Sequence, residues 1–152
     1  MNHVKNDTEI HNFLKRHIQA IIDNDLITYH ATTSEELTLY EWFVTPHRID
    51  GLPFHDFMME SNAENGTVFG AEKKSDDLTP VKKTRFDLSN LHIQRYGDTA
   101  IASYTLLLST NLPSGVSVIA HNESRVIVKL DGTWKVVHCH KSPAWKAPHI
   151  QP

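Results

Sequence analysis

The chain has 152 residues, 39% of them hydrophobic, with a formal net charge of −3, which suits one domain with one core. The absence of any basic run argues against nucleic acid and against a polybasic membrane contact. No stretch of about 18 apolar residues is present to form a membrane-spanning helix, Met1 to Lys5 lacks the apolar core of a signal peptide, and the single Cys139 argues against an internal disulfide framework.

From about Asp7 to Asp25, Ile10, Phe13, Leu14, His17, Ile18, Ile21 and Ile22 recur at helical spacing, with Asp7 or Thr8 as N-cap. Asn24-Asp25 breaks this pattern, and a short second helix is expected over Leu26 to His30. Glu36 to Val44 alternates and reads as a strand. Leu37, Leu39, Glu41 and Phe43 share one face; Thr38, Tyr40, Trp42 and Val44 share the other. Pro46 and Gly51-Leu52-Pro53 end the strand, and a helix runs from Pro53 to about Ser61. Residues 62–82 are polar, with Gly66, Gly70 and Pro80, and read as a long surface loop.

Strands follow over Thr84 to Tyr96, Thr99 to Asn111, Val116 to Leu130 and Thr133 to Lys141. Gly97-Asp98 and Asp131-Gly132 are two-residue turns. Residues 142–152 read as an extended, proline-rich tail. Helices followed by a meander of long strands imply an α+β fold, with the N-terminal helices packed on one face of a curved antiparallel sheet.

The Asp131-Gly132 turn sets a register. As a two-residue loop it places Leu130 opposite Thr133, Ile127 opposite Val136, Arg125 opposite His138 and Glu123 opposite His140. Opposed residues point to one face. Glu123, Arg125, His138 and His140 are therefore expected to line one polar pocket, with Cys139 turned away.

A buried Arg125 requires an acceptor, either Glu123 or an anionic ligand. The His138-x-His140 pair would need a third ligand, such as Glu123 or His121, to hold zinc or iron. The adjacent Arg125 disfavours that, and no metal or other cofactor is assigned. No Gly-rich phosphate loop or serine nucleophile motif is present.

Three segments carry a family resemblance. Gly51-Leu52-Pro53-Phe54-His55-Asp56-Phe57 resembles the Gly-x-x-Phe-His-x-Phe segment of the association (hub) domain of calcium/calmodulin-dependent kinase II. Glu123-Ser124-Arg125-Val126 is similar to that family's Glu-Thr-Arg-Val. Asp131 to Ser142 resembles its Asp-Gly-x-Trp-x-x-Val-His-x-His-x-Ser. The order and spacing agree from about Thr8 to Pro148. The family belongs to the nuclear transport factor two and SnoaL-like superfamily. That implies a cone-shaped curved sheet closed by helices, a cystatin-like α+β barrel, commonly paired through the sheet.

The resemblance also implies a deep pocket that binds small carboxylates. His55 and Arg125 match its histidine and one arginine. Lys141 stands where another arginine is found, and a further arginine falls near Leu106. The pocket is thus expected to be less positive than the hub's. The chain looks like a free-standing relative without a kinase domain, a single unit over residues 1–152.

Three functions follow from this reading. The first is a cytoplasmic, self-associating module, a homodimer or higher oligomer, that holds a small organic anion. Its candidate ligand-binding residues are His55, Arg125, His138, His140, Lys141, Tyr40 and Trp42. The second is an enzyme of the SnoaL or ketosteroid-isomerase type, with Glu123, His138 or His55 as acid or base and Tyr40 or Trp42 lining the cavity. The third is a purely structural assembly domain. Whether the chain is an enzyme is left open.

Overall fold

The computed structural model describes residues 7–66 and 84–144. Helix α1 (Thr8–Ile22) begins at Asp7, whose carboxylate accepts the Ile10 N–H at 3.1 Å, one of the two N-caps offered by the sequence. Its apolar stripe, Ile10, Leu14, Ile18 and Ile21, is buried against the sheet. Helix α2 (Leu26–Thr32) leads directly into strand β1 (Thr33–Glu41), which is followed by β2 (Thr45–Asp50) and α3 (Pro53–Asn65). The second half is the meander β3 (Thr84–Tyr96), β4 (Thr99–Leu112), β5 (Gly115–Leu130) and β6 (Thr133–Pro143).

The strand order is β2-β1-β6-β5-β4-β3. The α+β class with N-terminal helices on a curved sheet is as expected. Two details differ. The sheet ends in two edge strands, β2 and β3, so it is open rather than a closed barrel. It is also mixed, because β1 runs parallel to β6. A β1–β2 hairpin followed by α3 and the meander brings the last strand back beside the first.

Element ends moved as well. Pro46 does not stop strand formation, because β2 is an edge strand, where a missing N–H can face away from the ladder. Helix α3 extends to Asn65 and ends at Gly66 in the left-handed conformation (φ 66°), so residues 62–65 are helix rather than loop. Strand β6 includes Ser142 and Pro143, so these two residues are strand rather than extended tail. The rest of the expected loop, residues 67–82, and the tail beyond residue 144 lie outside the described residues.

The main correction concerns the β5–β6 register. Asp131 and Gly132 both have positive φ, 51° and 80°, as a tight two-residue hairpin turn requires. Pairing is regular from Leu130↔Thr133 to Ile127↔Val136. Val126 then pairs with His138, and Val137 is left as an extra residue, a β-bulge. Beyond it Arg125 pairs with Cys139, Ser124 with His140 and Glu123 with Lys141. A slip of one residue exchanges the two faces of a strand. Cys139 and Lys141 therefore turn inward beside Arg125 and Glu123, while His138 and His140 turn outward.

Burial follows this register: Val136 and Cys139 are buried, with the half-buried Val137 and His138 between them. Burial pushes the Cys139 thiol up to about 11. The native protein should therefore resist thiol reagents at neutral pH and react fully once unfolded in urea. Rapid labelling of the folded protein would instead place Cys139 outside, as unbulged pairing requires.

Candidate functional site

On the inner face the apolar core gives way to a buried polar cluster. Glu41 ends β1, continuing the inward series Leu37, Leu39, Glu41. Glu123 and Arg125 come from β5, Lys141 from β6, Tyr104 from β4, Tyr29 from α2 and His55 from the first turn of α3, and all are buried. Gly51 (φ 79°) turns the chain into α3 while its N–H bonds the Leu37 carbonyl at 2.7 Å, and Pro53 opens the helix. This sets His55 against the end of β1.

The cluster is one connected network. His55 Nε2 lies 2.9 Å from Glu41 Oε1, and His55 Nδ1 meets the Tyr29 hydroxyl. An ionised carboxylate only accepts, so His55 donates to Glu41 through Nε2. The other Glu41 oxygen lies 2.7 Å from Lys141 Nζ, which is also 3.8 Å from Glu123 Oε2. Glu123 Oε1 accepts from the Tyr104 hydroxyl at 2.8 Å and from Arg125 Nη1, and Arg125 Nη1 also donates to Tyr104.

The ionisation states follow from this pairing. Burial pushes the Glu41 carboxyl up, but Lys141 and His55 outweigh it and hold it down at about 2. Burial opposes the Glu123 charge too, but Arg125 and Lys141 keep that carboxyl well below its usual range. Burial also opposes the Lys141 charge, and Glu41 with Glu123 raises its pKa nonetheless. Among the described residues the cluster thus holds two opposed pairs, Glu41 with Lys141 and Glu123 with Arg125.

Between α1 and the sheet lies an internal cavity of about 20 Å³, room for about one water molecule. Ile18, Ile21 and Ile22 line one side; His121, Glu123, Arg125 and Lys141 line the other. Arg125 Nε, Glu123 Oε2 and His121 Nδ1 are buried without a hydrogen-bond partner among the described residues. At the end of β1 the half-exposed Trp42 and Phe43 close over this region. Trp42 meets the His121 ring edge-on at 5.0 Å, and Phe43 stacks on it at 5.4 Å.

Of the residues expected to form the pocket, the inner face gathers His55, Glu123, Arg125 and Lys141. Trp42 stands at its edge. His138, His140 and Tyr40 do not belong to it. His138 Nδ1 bonds Thr38 Oγ1 at 2.8 Å, and His140 packs on Tyr40 at 5.2 Å, all on the outer face. The bulge is the reason for the histidines. Tyr40 is outward by the ordinary alternation of β1.

Glu41, Tyr29, Tyr104 and the inward Cys139 were missed as site residues. A glutamate at the third inward position of an apolar strand face was the available signal for Glu41. Among the described residues no group of three or more side chains is arranged to hold a metal ion, and no helix is long and apolar enough to cross a membrane.

The fold is that of nuclear transport factor two-like proteins. One from Cytophaga hutchinsonii superposes with a TM-score of 0.65 at 15% identity, covering 91% of this chain and 99% of that one. The hub of the S. rosetta kinase superposes at 0.71 with 22% identity, covering 94% and 100%. The C. elegans association domain superposes at 0.69 with 23% identity, covering 89% and 93%. Residues 6–145 match the family described as calcium/calmodulin dependent protein kinase II association domain, and the chain belongs to that family.

The Glu41 pairing predicts an acid-sensitive fold. Its folded-state value of about 2 lies below the ordinary 4.5. The stabilisation is therefore complete above about pH 4.5 and lost as pH falls toward 2. Glu41→Gln leaves Lys141 buried without this partner and should cost about 3–5 kcal/mol, with a flatter acid limb in urea titrations across pH. The double variant Glu41→Gln, Lys141→Met should recover most of that loss.

Proposed function

We propose that this chain is an association module that assembles with further copies of itself and holds a small organic anion in its inner cavity. The observation that carries the anion reading is Arg125, a buried guanidinium that lines the cavity with an unpartnered Nε. Such a donor favours an anionic acceptor through a charge-assisted bond. Lys141, also lining the cavity, supplies a second cation. His55 acts one step back, through Glu41, rather than on the ligand itself.

The cavity has the volume of one water, so an anion enters only as its wall widens. The exposed Trp42 and Phe43 pack on the cavity-lining His121 from the solvent side. Among carboxylates this favours the smallest, formate before acetate before longer chains.

Self-association is supported by the family's description as an association domain and by the outer sheet face. There Val116 and Val118 are exposed by 67% and 60%, next to the half-buried Leu107 and Ala120. A second copy of this face is the partner proposed.

A general acid or base is less well supported. Glu41 and Glu123 are held ionised by their cations and make poor bases near neutrality, and His138 lies on the opposite face. In a thermal-shift titration, formate should raise the melting temperature in a saturable way, and Arg125→Ala should abolish the rise. Light scattering should give a mass of at least two chains at micromolar concentration. No formate-dependent shift would refute the anion reading, and a strict monomer would refute the assembly reading.

A further inference from the structure

Among the described residues, the four charged side chains at the cavity and next to it balance in pairs. Arg125 and Lys141 oppose Glu123 and Glu41, and none of the four titrates near neutral pH. An entering carboxylate would leave one negative charge uncompensated in a setting where unpaired charge is strongly disfavoured. Uptake of one proton by a neighbouring group would restore the balance.

Three buried histidines lie near enough to consider. His55 is held at both ring nitrogens, by Tyr29 and Glu41, and does not line the cavity. His17 bonds Thr32 Oγ1 at 2.8 Å, and burial, with Arg125 and Lys141, holds it well below the usual imidazole range. His121 differs from both. It lines the cavity, its Nδ1 has no hydrogen-bond partner, and Glu123 Oε2 is 3.8 Å away.

Apolar neighbours and the two nearby cations oppose a charge on His121, and an added anion would offset that cost. Leu106 pairs with it from β4 and the isoleucines of α1 face it across the cavity, none of them titratable. Arg125 and Lys141 are the cations nearby, and Glu123 and Glu41 offset them. Phe43 stacks on its face with an interplanar angle of 30°, an arrangement that stabilises an imidazolium as cation–π contact.

We infer that a small carboxylate entering the cavity draws one proton from solvent onto His121, so that the chain takes up the elements of a carboxylic acid rather than the anion alone. Protonated, Nδ1 becomes a donor to the ligand or to Glu123 Oε2. This rests on the anion-pocket reading above and adds to it a pH-dependence and a residue. Binding strengthens as pH falls, while the ligand itself stays ionised.

Calorimetry of formate binding between about pH 6 and 8, in buffers of different ionisation enthalpy, tests this directly. Wild type should take up close to one proton per formate on the alkaline side, with Kd rising up to about tenfold per pH unit. His121→Gln should bind more weakly, with neither proton uptake nor pH dependence. At fixed pH, formate should move the His121 ring signals in NMR toward the imidazolium position, which needs no variant. Binding without proton uptake, or uptake that persists in His121→Gln, would overturn this inference and leave the anion pocket standing. No formate binding at any pH would overturn the pocket and this inference with it.

Discussion

One unpaired residue governs the inside of this molecule. Because Val137 bulges out of the β5–β6 ladder, every side chain of β6 beyond it changes face. Cys139 and Lys141 enter the interior, and two histidines leave it. A bulge also bends its strand and strengthens the local twist, and the parallel β1–β6 pairing shifts in the same stretch, between Thr33 and Thr38. The two irregularities together let β1 end with Glu41 directly opposite Lys141.

That placement creates a costly interior. Four buried charges are tolerated only because each meets an opposite charge, and hydrogen bonds from Tyr104 and His55 take up further acceptor capacity. Replacing the whole set with apolar side chains would be neutral or stabilising for many folds. The set stands beside a cavity at which Arg125, Glu123 and His121 atoms have no hydrogen-bond partner among the described residues, and the anion-pocket proposal starts from that.

Much of the fold was legible in the residues. The period of α1, the Asp7 cap, the Gly97-Asp98 and Asp131-Gly132 turns and the long alternating strands all report local preferences that the tertiary structure keeps. The motifs around His55, Arg125 and Asp131 to Ser142 pointed to the family that the match over residues 6–145 establishes. What stayed hidden was non-local. Parallel pairing of β1 with β6 leaves no local sequence mark, and edge position alone makes Pro46 acceptable in β2. A bulge is one residue in a stretch, Val136-Val137-His138, where neither periodicity nor turn chemistry distinguishes it. The hairpin turn predicts register only while pairing stays one to one, and this explains why Arg125 and Glu123 were placed correctly while their expected histidine partners were not.

The central claim is that Arg125 lies inside, desolvated, beside the inner cavity, and that the cavity takes an anion as proposed. NMR of the arginine side-chain Nε–H groups tests it most directly. The account predicts one Nε–H signal that exchanges slowly with solvent, disappears in Arg125→Lys, and shifts when formate is added. An Arg125 signal that exchanges as fast as those of the exposed arginines, and ignores formate, would contradict it.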